Sequence, residues 1–319
     1  FSVVFFLELL PWKVMAAFIA LVVLEHLSTE LMRLLVAIER PLLATFTLFL
    51  KQALWAICFT IAMWLNPEFR NISDLLLFWV AGSFLSILVG VGPLLKLDWA
   101  GSLANVDWRW IRTGAVIAIP LLLSSIAVRS LFTFDRYAFE VLNSLALLGA
   151  YSVYMGVASA MLSFMDSGVF VFHYPKMMKA YKKRDMAEFD QAYRKLARQS
   201  AIWISVLTAG AALAGVVVFP LLDEPIYSNH LLLFFTIVLA MAIFVVGYVF
   251  QYGLYTTTRD KSIIASNLAG LGVAAIALFF LASHTAYWAV TISMLIGVGV
   301  ATLLKYRKWL ITRKELQLA

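Results

Sequence analysis

The chain of 319 residues is 63% hydrophobic and 13% charged, with a mean hydropathy of +0.91, far from the roughly 45–50% apolar and 25% charged make-up of soluble domains. Its net charge of +7 comes without any basic, aromatic-interleaved soluble module, which excludes nucleic acid as a partner and points instead to basic loops held on one side of a membrane. The single cysteine, Cys58, lies in an apolar run, which excludes an intrachain disulfide and a cysteine-rich metal site.

In chain order, apolar runs long enough to cross a bilayer recur at 14–38, 42–65, 74–95, 110–132, 141–168, 199–222, 230–255, 262–282 and 285–305, each near the roughly 20 residues that a hydrocarbon core requires. Residue 1 is Phe rather than Met, and residues 1–10 read as the tail of an earlier span, so the N-terminus is expected to be truncated. Between the runs stand Pro41, Asn66 with Pro67, Asp98 to Asp107, Asp135 with Arg136, Asp223 to Pro225, Arg259 to Lys261, and Ser283 with His284, all breakers or charges. No ten-residue alternation of apolar and polar residues suggests a β-barrel. The expected fold is therefore all-α, a polytopic transmembrane bundle of about nine spans.

Assigning alternate connections to opposite sides puts about 20 of the 25 Lys and Arg residues on one side: Arg33, Arg40, Lys96, Arg109, Arg112, the cluster from Lys176 to Arg198, Arg259, Lys261 and the tail from Lys305 to Lys314. Translocation of basic loops is disfavoured, so that side, with the C-terminus, is expected to be cytoplasmic. The one sizeable polar stretch, 174–198, reads as a short cytoplasmic helical connection whose lysines either are simply solvated or meet anionic headgroups.

Ionisable side chains within spans are costly, so they are the first functional candidates. His26, Thr29, Glu30 and Arg33 fall at i, i+3, i+4 and i+7 on one helical face, with Glu25 one position off it. An interfacial Glu30–Arg33 pair explains that face as well as a cavity lining does. Lys51 interrupts the second run; its ammonium suits either an anionic group such as a diphosphate or a buried carboxylate such as Glu25. Arg129, near the outer end of the fourth run, either binds phosphate bidentately or snorkels to the interface. Asp135, Arg136 and Glu140 form a polar cluster at the turn expected between the fourth and fifth spans, where charges more often fix helix ends than bind substrate. Tyr248, Gln251, Tyr252 and Tyr255 repeat at i, i+3, i+4 and i+7, suiting sugar stacking or an interfacial tyrosine belt. No hydrolase, nucleotide-binding or metalloprotease motif occurs in a usable context, and His26, His173, His230 and His284 are scattered over separate elements. Neither an enzyme nor a cofactor is expected.

At residues 112–136, RTGAVIAIPLLLSSIAVRSLFTFDR, a helix with a basic start, Pro120 a third of the way along and an exit through Asp135 and Arg136 resembles the opening of the second lobe of polysaccharide (O-antigen) flippases. LLGAYSVYMGVASAM at 147–161, with Gly149 and Tyr151 near its start, followed by Pro175 and a basic connection, is similar to the family's next helix. The family belongs to the superfamily of multidrug and toxin extruders and lipid II flippases. The resemblance implies two six-helix lobes around a cavity that opens alternately to each side. On that template residues 1–95 are a partial N-terminal lobe lacking its first helices, 96–109 a cytoplasmic linker, 110–305 a complete C-terminal lobe, and 306–319 a basic cytoplasmic tail.

The resemblance also implies flipping of a lipid-linked oligosaccharide across a bacterial inner membrane. The expected partners are a polyprenyl-diphosphate-linked substrate, membrane lipids and other polysaccharide-assembly proteins. By position within spans, Lys51, Arg33 and Arg129 are the cations expected to meet the diphosphate, and Glu25 and Glu30 the carboxylates that would take a coupling ion. A cation-coupled multidrug extruder is the rival within transport. A membrane-embedded polymerase or ligase is the rival from another class, and it should carry a long outer loop.

Overall fold

The structure, a computed structural model, describes residues 11–38, 40–96, 107–222, 224–283 and 285–318. The tail at 1–10, most of the expected linker, Asp223 and His284 lie outside the described residues. Among those described there is no strand, and nine helices are long and apolar enough to cross a membrane. The chain is an all-helical, multi-pass membrane protein, as its composition predicts. It divides into two compact units, Phe1–Asp107 and Trp108–Ala319.

In the first unit, α1 spans Met15–Ala37. Helix α2, Pro41–Phe49, passes through a π-helical turn at Leu50–Leu54 into α3, Trp55–Leu65, and α4 follows at Ile72–Val91. Pro41 opens α2 where a missing N–H costs nothing. Asn71 caps α4 by accepting from the Asp74 N–H. Close approach of α4 to the π turn requires Gly82, because a Cβ there would lie 2.7 Å from Trp55 Cβ and 3.1 Å from the Leu50 carbonyl oxygen.

The second unit contains α5 (Trp108–Leu142), α6 (Leu145–Met165), a π turn at Asp166–Phe170, α7 (Val171–Lys182), α8 (Met186–Val218), the short α9 (Pro225–Asn229), α10 (Leu231–Thr256), α11 (Asp260–Ala282) and α12 (Ala286–Leu318). Helix α10 sits at the middle, packed against α6, α8 and α12. Its small and apolar residues meet a core that includes Tyr151, Tyr154, Phe139, Leu196 and Met165. Apolar side chains on the outer faces remain exposed, such as Phe279 at 78% and Leu221 at 76%. In a membrane that arrangement gives each span a lipid-facing side.

Two expected boundaries move. The fourth span does not end in a turn at Asp135 and Arg136, because α5 runs on to Leu142 and the reversal falls at Asn143 and Ser144. Asp135 needs no turn to satisfy it. Its carboxylate is buried and accepts from the Tyr151 hydroxyl at 2.6 Å and the Arg136 N–H at 2.7 Å, while the helix stop comes from Ser144, which caps α6 through the Leu147 N–H. The polar stretch 174–198, expected as a helical connection, is helical on both sides of a short reversal. The chain reverses at Lys183–Asp185, with Arg184 at a left-handed φ of 59°, and Asp185 caps α8 through Glu188, which stands in its first turn. Helix α7 also continues through Pro175, which sequence reads as leading out of the helix.

Candidate functional site

In the first unit the candidates gather around Glu25. Lys51, only 7% exposed in the π turn, reaches the Glu25 carboxylate at 2.7 Å, and it donates to the Thr29 hydroxyl at 2.6 Å and the Glu25 carbonyl at 3.2 Å. The other Glu25 oxygen accepts from Trp79 Nε1 at 2.9 Å and Ser83 Oγ at 3.2 Å. Trp79 in turn stacks on Trp55 with ring centroids 5.0 Å apart. Of the two readings of Lys51, the structure therefore displays the one in which it partners Glu25. The pair joins α1 to the π turn and, through Trp79 and Ser83, to α4. Arg33 pairs with Glu30 at 2.6 Å one turn away, and both are largely exposed. His26 is exposed on the same helix.

In the second unit Arg129, Arg136, Tyr248, Gln251 and Tyr255 line two neighbouring pockets with a shared wall, while Tyr252 lines neither. One, of about 390 Å³, is formed by Ser124, Ser125 and Arg129 of α5, Tyr248, Gln251 and Tyr255 of α10, and Asn267 of α11. The other, of about 450 Å³, lies between α5, α6 and α10 and includes Arg129, Arg136, Ser159, Ser163, Asp166 and Tyr248. Arg129 and Tyr248 belong to both. Arg129 and Arg136 stand seven residues apart on one face of α5, so their side chains project in the same direction. Among the described residues neither guanidinium makes a hydrogen bond or an ion pair.

Hydrogen bonds tie the lining to its surroundings. Asn267 donates to Ser124 Oγ at 2.9 Å, tying α11 to α5. The Tyr252 hydroxyl approaches Asp166 Oδ1 at 3.5 Å, and its ring packs 4.7 Å from Phe170. Of the expected polar cluster, Asp135 turns inward to Tyr151, Arg136 turns to the pocket, and Glu140 is exposed without a partner among the described residues.

Two further residues matter that sequence reading passed over. Asp166 begins the π turn and lines the pocket opposite the arginines. π turns inside helices often occur at functional positions, and a lone carboxylate after MLSFM in an apolar run was the available signal. Lys305 was counted in the basic tail, yet it is 1% exposed within α12; its ammonium donates to Gln251 Oε1 at 2.8 Å and lies 5.7 Å from the Tyr248 ring centroid. It has no carboxylate partner among the described residues. Only its position next to YRKW distinguished it in sequence, and that context resembles an interfacial flank. Two guanidiniums thus face a region holding one carboxylate, with the buried Lys305 ammonium behind Gln251. Such a surface attracts an anion, and a planar guanidinium offers a phosphate two parallel donors. Among the described residues no His, Cys, Asp and Glu cluster suited to a metal ion occurs.

No protein-family model and no curated protein matches the chain. Solved structures do. The crystal structure of a MATE protein in the straight conformation superposes with a TM-score of 0.68 at 11% identity, covering 88% of this chain and 64% of the other. The outward-facing conformation of a multidrug resistance MATE family transporter of the MOP superfamily gives a TM-score of 0.65 at 12% identity over 86% and 63%. The bent conformation of MATE gives 0.61 at 11% over 87% and 63%. The chain spans less than two thirds of the length of each of these solved chains. At such identities the likeness is one of fold: the chain has the fold of MATE transporters.

Proposed function

We propose that this chain moves an anionic, sugar-bearing lipid, a lipid-linked oligosaccharide, across a bacterial inner membrane by alternating access, without enzymatic chemistry. The observation that carries the reading is Arg129, a guanidinium with no hydrogen bond or ion pair among the described residues, on the wall shared by two polar pockets. Arg129 and Arg136 take the diphosphate, while Tyr248, Gln251 and Tyr252 stack on and hydrogen-bond the sugar. Lys305 orients the Gln251 amide so that its NH₂ is left for the ligand. In the first unit, Lys51 and Arg33 meet anionic substrate only when they exchange their carboxylate partners for it, which makes Glu25 and Glu30 the sites where a coupling ion or proton competes. The proposed orientation has the C-terminus in the cytoplasm.

The test is transport by purified protein in liposomes carrying a fluorescent polyprenyl-diphosphate sugar. Arg129→Gln is expected to lower flipping about tenfold or more, the loss of a charge-assisted bidentate contact, with thermal stability unchanged. Undiminished flipping by that variant sinks the assignment.

A second reading, a cation-coupled multidrug extruder, is favoured by one observation, the Asp166 carboxylate in the pocket. On that reading Asp166→Asn abolishes export of cationic dyes and Arg129→Gln does not. A polymerase or ligase finds less support, since the connections on the proposed outer side, residues 66–71 between α3 and α4 and residues 143–144 between α5 and α6, are only a few residues long.

A further inference from the structure

We propose that a cleft along α7 holds the phosphate headgroup of an anionic membrane lipid. The cleft, of about 500 Å³, is lined by Tyr174, Pro175, Met178, Lys179, Lys182 and Lys183. From Pro175 onward these positions run i, i+3, i+4, i+7 and i+8, one face of the helix. The opposite face, His173, Met177 and Ala180, is buried against the unit. The Tyr174 ring packs, tilted, 5.5 Å from both Tyr252 and Tyr255 and so fixes the inner end of the cleft to α10.

The cleft has the chemistry of a lipid headgroup site. Its floor is apolar and aromatic, its rim is cationic, and no carboxylate lines it. The three lysine ammoniums make no hydrogen bond or ion pair among the described residues. Of the nearby acids, Asp185 caps α8 and Asp190 holds Arg194 and Arg313, while Asp260, though close enough to act on Tyr174, does not line the cleft.

Depth agrees. The span from Leu145 to Lys182 has 38 residues, about 57 Å at 1.5 Å per residue, against about 30 Å of hydrocarbon and 40–45 Å including headgroups. The helical run is therefore longer than the bilayer is thick, so its C-terminal turns emerge at the headgroup layer. Val171 and Phe172, 55% and 62% exposed, end the lipid-facing stretch just before the cleft.

The test uses the full chain in nanodiscs of phosphatidylcholine doped with phosphatidylglycerol, reading retained phosphatidylglycerol by native mass spectrometry. Wild type is expected to retain phosphatidylglycerol in preference to phosphatidylcholine. K179Q/K182Q/K183Q should lose that preference by about tenfold, since each basic residue near an anionic surface contributes severalfold, and K179R/K182R/K183R should keep it. A control removing three exposed lysines elsewhere, K261Q/K308Q/K314Q, should leave it intact. Retention by the first triple variant equal to wild type, or an equal loss in the control, overturns the site. Arg129→Gln should not alter retention, so failure of the transport reading is separately visible.

Discussion

Lys51 and Lys305 are both buried ammoniums, and their surroundings predict opposite responses to the same substitution. Lys51 neutralises Glu25 at 2.7 Å. In Lys51→Met the carboxylate keeps Trp79 and Ser83 but loses its counter-charge, and because Glu25 retains some solvent contact the cost should be about 2 kcal/mol, below the 3–5 kcal/mol of a fully buried pair. Adding Glu25→Gln should recover most of it, a coupling that thermal unfolding of the four proteins in detergent would measure. Lys305 has an amide and a ring face instead of a carboxylate. Lys305→Met removes a desolvated charge at the expense of one hydrogen bond of about 1 kcal/mol, so its stability should stay within about 1 kcal/mol of wild type or exceed it. A large destabilisation would show that the ammonium has a counter-charge. Sequence offered both roles for Lys51, because a cation in a span is compatible with either; for Lys305 it offered neither, since a lysine at the end of an apolar run looks like an interfacial residue until the helix is seen to continue beyond it.

At the scale of elements, the closest pairing is between α11 and α12, where small residues let two backbones touch. A Cβ at Gly270 would come within 2.7 Å of the Gly297 carbonyl oxygen and 2.8 Å of Ala301 Cβ, and one at Gly297 within 2.6 Å of Ala274 Cβ. Gly270 with Ala274 and Gly297 with Ala301 are each four residues apart, the small-xxx-small spacing that packs helices in lipid. Gly270→Val is expected to cost about 1–3 kcal/mol through overpacking, read as a lower melting temperature, whereas the same change at Gly272, which has open space around its Cβ position, should cost less. Equal losses at both would mean that helix propensity dominates. The existence and number of spans were legible from apolar runs alone. Their ends were not, because the stops placed at Asp135–Arg136 and after residue 168 depended on whether a partner or a π turn lay nearby: Tyr151 satisfies Asp135 and the Asp166–Phe170 turn carries the helix on into α7.

For the whole molecule, the alternation of helices predicts which connections share a side of the membrane. In a Cys58→Ser background, single cysteines at 183, 258 and 314 should react with a membrane-impermeant maleimide from one side, and cysteines at 143 and 228 from the other. A cysteine at 183 labelled from the same side as one at 228 would break the topology and with it the charge-bias argument. By itself the sequence determined that this is a multi-span helical membrane protein, because apolar length and the siting of basic residues are summed over the chain and need no knowledge of contacts. Only the tertiary structure decided which ionised side chains are spent on one another and which face a pocket. Glu25 and Lys51 are 26 residues apart, and Lys305 and Gln251 are 54. Pairings over such separations follow from how helices pack, a property that no local window of residues contains.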